Sequence, residues 1–207
     1  MYEDKARWNE RHVSKPMRHE VAAILKKYVA HASIGKALDL ACGTGRNTHF
    51  LEKLGFSVDA VDLSDYALSQ IKDTPNIIKI ETDLDSYDLK TNSYDLILNC
   101  NYLNRRLMAQ MIDSLKEGGL IIFETFIEAH EKPEQGSMNP DYLLKKNELL
   151  KAFSNLDVMY YEEVNGVNLR GEKNKTASLV AKKTKDLEES LVLLFVSLTK
   201  IHIGRKS

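Results

Sequence analysis

Excess charge of either sign is missing from this sequence. Among 207 residues, 29 Lys and Arg stand against 30 Asp and Glu, a formal net charge of −1. No overall basic field is therefore offered to a polynucleotide or an anionic membrane, and no nucleic-acid partner is expected. Cysteine is scarce as well. Cys42 and Cys100 stand far apart with no CxxC pair, which speaks against a disulfide framework and fits a reducing, cytoplasmic setting. The six histidines are scattered without a ligand-spaced pair, so no metal is expected. Long hydrophobic runs are also lacking. The longest, LVLLFVSL at 191–198, falls far short of the ~20 residues of a membrane-spanning helix. The opening MYEDKARWNERH is charged and polar, unlike a secretory signal. No repeat or low-complexity tract is visible.

What is present is ordinary globular material, 43% apolar and 29% charged, and long enough for one domain with a sizeable core. Ser14 and Pro16 read as a helix start, followed by Val21, Ile24, Leu25, Tyr28 and Val29 at helical spacing. Apolar strands are expected at 36–41, 56–61, 76–81, 94–99 and 120–126. Helices should lie between them: Arg46 to Leu54 with Phe50, Leu51 and Leu54 inward and Gly55 as its stop, a second capped by Ser64, and a third through Leu107, Met111 and Leu115 ending at Gly118-Gly119. An irregular segment, 127–141, holds His130 and has the length of a functional lid. A helix around 146–153 and strands at 156–164 and 176–183 complete the pattern, the last two joined as a hairpin. Alternating strands and helices imply βαβ units. The expected fold is α/β, a doubly wound, Rossmann-like, mainly parallel seven-stranded sheet with one antiparallel strand from the C-terminal hairpin. Its ligand should sit at the C-terminal strand ends, at the switch point.

The first strand runs into ALDLACGTGRNTHF, 37–50, with Gly43 and Gly45 at its end and a helix after them. Bare backbone there lets a ligand come close, and a helix N-terminus offers N–H groups. A dinucleotide fingerprint would want Gly or Ala where Thr48 stands, and a P-loop would want Gly-Lys-Ser/Thr. The pattern is instead Asp-x-Ala-x-Gly-x-Gly from Asp39 to Gly45. Asp62 ends the second strand, where an acidic residue can accept ribose hydroxyls in several nucleotide folds. Asp83-Leu84 follow the third strand, and LKEGGLIIFETF enters the fifth.

These four elements, in this order, resemble class I S-adenosylmethionine (SAM)-dependent methyltransferases, with Ala41 where that family often has glycine. RWNERH, GTGRN, NYLNRRL, FETF, NPDYLLKKNELL and VMYYEEV are similar to the tellurite-resistance-like branch of small-molecule methyltransferases, over about residues 6–183. The resemblance implies a SAM site built from Asp39, Ala41, Cys42, Gly43, Gly45, Asp62, Leu63, Asp83, Leu84 and Asn99. Leu63 would pack on the adenine, and Asp83-Leu84 would meet its amino group. Trp8 and Arg11 lie on a segment that can fold over the cofactor in such enzymes, where Arg11 would pair with the methionine carboxylate.

Transfer by in-line displacement needs chiefly an acceptor held in line, and a base only for a protonated acceptor. Asn99 to Tyr102, NCNY, stands where amino-methylating enzymes carry Asn-Pro-Pro-Tyr. Both prolines are replaced, which counts against adenine or glutamine N-methylation and leaves Tyr102 as an acceptor-pocket wall. Glu124, at the end of strand five, is the general-base candidate. Arg105 and Arg106 read as a solvated helix face more than as an anion site. The expected activity is methyl transfer to a small molecule. A macromolecular acceptor and a non-catalytic SAM-binding protein are the rivals. The domain is expected at 1–183, with 1–35 a helical cap region. The apolar extension 184–207 has three readings: a helix packed on the domain, a homodimer contact, and a surface membrane anchor that Glu188 and Glu189 disfavour.

Overall fold

The computed structural model describes residues 2–14, 19–128, 140–167 and 173–184. Pro16, His130, the hairpin tip and nearly all of the C-terminal extension lie outside the described residues. Seven strands form one sheet: β1 (Lys36–Leu40), β2 (Ser57–Asp62), β3 (Ile77–Glu81), β4 (Tyr94–Cys100), β5 (Leu115–Phe126), β6 (Asp157–Val167) and β7 (Lys173–Lys182), in the order β3-β2-β1-β4-β5-β7-β6. β1 to β5 pair in parallel. β7 is antiparallel to both its neighbours. The doubly wound sheet with a single antiparallel strand is the one expected.

Among the described residues the α-helices are α1 (Tyr2–Ser14), α2 (Ala23–Tyr28), α3 (Arg46–Lys53), α4 (Asp65–Ser69), α5 (Arg105–Ser114) and α6 (Glu148–Ala152). The sheet is apolar on both faces because both are covered. Leu38 and Leu40 of β1 pack with Leu107 and Met111 of α5 and with Leu149 of α6. Ala37 packs on the other side with Leu25 of α2, Leu51 of α3 and Leu68 of α4. Each fully buried leucine of this kind contributes ~2 kcal/mol relative to exposure.

The structure corrects several boundaries. Ser14 ends a helix instead of starting one, and the next helix begins at Ala23. α5 stops at Ser114. Leu115 already has extended backbone, so the Gly118-Gly119 pair lies inside β5. Gly118 N–H donates to the carbonyl of Lys183 (2.7 Å), and a Cβ on Gly119 would stand 2.8 Å from the carbonyl oxygen of Lys116. The glycines thus serve strand pairing, not helix termination. β3 is an edge strand, and Ile78 is 52% exposed although the sequence reads there as an apolar strand. Leu54, expected inward, is exposed, while Leu51 is buried. Gly55 does follow the helix with a left-handed φ of 98°.

Candidate functional site

The sheet's switch point lies between β1 and β4, where Leu40 is in register with Asn99. Just past β1 the backbone turns through three left-handed residues in five: Ala41 (φ 50°), Gly43 (56°) and Gly45 (78°). A Cβ on Gly45 would meet Ile71 Cγ1 at 2.6 Å, so the turn admits only glycine there. Cys42 N–H ties the loop to the carbonyl of Val61 (3.0 Å). Its side chain is buried, and burial pushes the thiol well up from its ordinary value, which suits a packing residue.

Asp39 is 1% exposed and points its Oδ2 at the Thr48 hydroxyl, which donates at 2.6 Å. Its Oδ1 is buried with no hydrogen-bond partner. Burial pushes this carboxyl up to about 7, against the Thr48 bond and the nearby Arg46 charge, which pull it down. Asp62, also buried, splits its carboxylate. Oδ2 accepts from Gly43 N–H (2.8 Å) and Oδ1 from Ser64 N–H (2.9 Å). It therefore pins the glycine loop to the start of α4, where Ser64 Oγ accepts from Ala67 N–H as expected of a cap. Leu63 beside it is half-buried.

α1 crosses this end of the sheet. Lys5 pairs with Asp65 (3.0 Å) and with Glu81 at the end of β3 (2.5 Å). The Asn9 carboxamide donates to Asp65 Oδ1 (2.7 Å) and accepts from Ser64 Oγ (2.6 Å). One turn on, His12 is 7% exposed, and its Nδ1 has no hydrogen-bond partner. Burial lowers the imidazole's pKa against the pull of Asp62. Arg11 is exposed, its guanidinium 5.2 Å from the half-buried Trp8 ring. The inward polar stripe of α1 is thus Lys5, Asn9 and His12, and the sequence reading missed it. The signal was the i, i+4, i+7 spacing of three polar residues on a helix without an apolar stripe.

Past β3, Asp83 Oδ1 accepts from Asp85 N–H (2.9 Å) in a local turn, and Leu84 is buried. At the end of β4, Asn99 is fully buried. Its Nδ2 donates to the carbonyl of Tyr102 (2.7 Å), while its Oδ1 has no partner. Asn101 follows with φ 59°, turning the chain beneath Tyr102. Burial pushes the Tyr102 hydroxyl up to about 12, so it is a neutral group near pH 7. Glu124 lies in register with Cys100 and Ser178, and Ser178 Oγ donates to its Oε2 (2.8 Å). The two arginines lie on an exposed helix face, as read from the sequence, and each is also paired there. Arg105 holds Glu148 (2.6 Å) and the carbonyls of Asp141 and Leu143; Arg106 holds Asp88 (2.7 Å) and the carbonyl of Leu84 (2.9 Å). They strap loops to α5.

The structure therefore brings Asp39, Ala41, Cys42, Gly43, Gly45, Asp62 and Leu63 to adjoining ends of β1 and β2, with Asn99 and Tyr102 across the switch point and Glu124 beyond. Asp39 Oδ1, Asn99 Oδ1 and His12 Nδ1 are buried there without partners. Leftover acceptors at one end of a sheet suit a ligand rich in donors, such as an amino acid joined to a ribose. Among the described residues, no cluster of His, Cys, Asp and Glu is placed to hold a metal, and no helix is long and apolar enough to cross a membrane.

A family model described as tellurite resistance protein TehB matches residues 4–179. A curated relative, the probable S-adenosyl-L-methionine-dependent methyltransferase TehB of Haemophilus influenzae, is 24% identical over 72% of this chain and 57% of its own length. The chain thus spans little more than half of that relative. The crystal structure of Haemophilus influenzae TehB superposes with a TM-score of 0.71 at 22% identity, over 86% of this chain and 67% of that one. A phosphoethanolamine N-methyltransferase 2 from Haemonchus contortus, solved with phosphomonomethylethanolamine and S-adenosylhomocysteine, superposes at 0.62 with 15% identity, over 79% of this chain and 52% of that one. These structures share the fold.

Proposed function

The chain belongs to the TehB family of tellurite resistance proteins, and from that membership we propose that it is a SAM-dependent methyltransferase acting on a small molecule. The observation that carries this reading is the end of the switch point itself, where a left-handed glycine loop is pinned by Asp62 beside the unpartnered Asp39 and Asn99 oxygens. SAM, when bound, supplies an electrophilic methyl group on sulfur. Asp62 accepts hydroxyls from its ribose, since each carboxylate oxygen keeps a lone pair beyond its one backbone bond. Asp39 Oδ1 and Asn99 Oδ1 accept from the amino-acid end. Arg11 lies on the helix above and is assigned to the methionine carboxylate. Leu63, Asp83 and Leu84 would hold the adenine, and the backbone of the loop from Ala41 through Cys42 and Gly43 to Gly45 would hold the methionine chain.

On the acceptor side, Tyr102 forms a wall, and Glu124 receives the acceptor's proton where there is one, oriented by Ser178. The neutral overall charge supports a small acceptor over a polynucleotide. Residues 1–183 form the catalytic domain in this reading, with 1–35 capping it. The extension 184–207 is then an addition that size-exclusion chromatography with light scattering would test as a homodimer contact. The two free cysteines support a cytoplasmic setting.

Calorimetry with SAM and S-adenosylhomocysteine tests the reading. Micromolar binding by the wild-type chain, weakened tenfold or more by Asp62→Ala (~1.4 kcal/mol), is expected. A folded wild type that binds neither compound would overturn the proposal.

A further inference from the structure

We propose that His12 is a ligand-contacting residue of the nucleoside site, its Nδ1 bonding a ribose hydroxyl opposite Asp62. The inference rests on the SAM-binding reading above and extends it to a helix outside the glycine-loop motif.

The placement follows from a chain of contacts. Asp62 bonds Ser64 N–H, Ser64 Oγ donates to Asn9, and His12 follows Asn9 by one helical turn on the same side of α1. Lys5, one turn before Asn9, fixes the other end of the helix to Glu81 and Asp65. α1 therefore lies across the ends of β3 and β2 with His12 at the end nearer the glycine loop. An imidazole that is 93% removed from solvent would ordinarily find partners for both nitrogens. Here Nδ1 has none, although Lys5 and Asn9 of the same stripe each hold two partners. A ribose held at Asp62 presents two adjacent hydroxyls. Asp62 takes one or both as donors, and a neutral imidazole nitrogen can accept from, or donate to, the second. Such a nitrogen has given up its bond to water without a replacement, a loss that a ligand hydroxyl would relieve. Asp39 and Asn99 leave unpartnered oxygens at the strand ends, and His12 Nδ1, on the helix tied to that end through Asn9 and Ser64, is unpartnered as well.

The test uses the full chain, calorimetry, and three probes: S-adenosylhomocysteine and its analogues lacking the 2′- or the 3′-hydroxyl. His12→Phe keeps a buried ring without a polar atom, and His12→Asn keeps a polar atom near the position of Nδ1. Thermal unfolding of each ligand-free variant checks that it folds. The expected result is that His12→Phe weakens S-adenosylhomocysteine tenfold or more. The analogue missing the hydroxyl that His12 contacts should change less than twofold, and His12→Asn should recover most of the loss. If His12→Phe weakens all three probes by one common factor, or none of them, His12 only packs the helix and the inference is overturned. If His12→Phe does not fold, the imidazole nitrogen shifts of wild-type protein decide. Nδ1 of His12 should move when S-adenosylhomocysteine is added, and an unmoved signal in saturated protein would overturn the inference. Failure of the wild type to bind S-adenosylhomocysteine at all would sink the SAM reading itself, a result distinct from any of these.

Discussion

Asp39 carries an energetic penalty that a motif cannot display. The β1 position that aims it at Thr48 also removes it from water, and burial outweighs its one hydrogen bond, so its carboxyl titrates near 7 in the folded chain against 3.8 in an exposed setting. The folded state therefore holds this proton more tightly than the unfolded chain does. The favourable contribution of the neutral form is complete below about pH 4 and is lost as the pH rises through about 7. Asp39→Asn keeps an acceptor for Thr48 and never ionises. Urea midpoints at pH 5 and pH 8 should differ less in Asp39→Asn than in the wild type. An unchanged difference would mean that Asp39 is ionised in the fold at both pH values.

At the scale of elements, α1 matters more than its sequence suggests. It has no apolar stripe to bury, and its attachment to the sheet end is polar, through Lys5 and Asn9. Ser64 is the hub: it caps α4 through Ala67 N–H and donates to Asn9. Ser64→Ala should cost ~1 kcal/mol through the lost cap alone, and more through α1. Denaturant unfolding of Ser64→Ala, Asn9→Ala and the double variant should return a coupling of ~0.5 kcal/mol or more. Strict additivity would show that α1 docks without this bond.

Across the whole molecule, the two ends of the sheet carry different burdens. The C-terminal ends hold the unpartnered acceptors of the site. At the opposite end, Asp59, 2% exposed, also has an unpartnered Oδ1, but its Oδ2 is bonded by Lys36 (2.8 Å) and by the Tyr94 hydroxyl (2.9 Å), with the ammonium 5.5 Å from the tyrosine ring centroid. Lys36→Met would leave that carboxylate with the tyrosine alone. It should lower stability by ~3 kcal/mol, near the bottom of the range for a broken buried pair because Lys36 is partly exposed. Affinity for S-adenosylhomocysteine should stay within about twofold of wild type, because the pair lies at the far end of β1. A large loss of affinity with little loss of stability would contradict this division.

Local chemistry was enough to determine the alternation of strands and helices, the glycine turn after β1, the Ser64 cap and the late antiparallel strand. Each depends on nearest neighbours: apolar runs of strand length, φ that only small residues adopt, a hydroxyl three residues before the N–H it caps. The sequence by itself also determined that Asp39, Asp62 and Asn99 stand at strand ends, because parallel strands place their C-termini together. Tertiary structure alone decided the rest. Leu115 leaves α5 because β5 must start early to pair with Tyr94. Ile78 is exposed because β3 has no strand beyond it. Arg105 and Arg106 are loop straps because segments 36 to 43 and 18 to 22 residues away return to them. His12 is buried because Asn9 finds Ser64, a contact across 55 residues. Such long-range pairings have no local propensity behind them, and they give the site its roof.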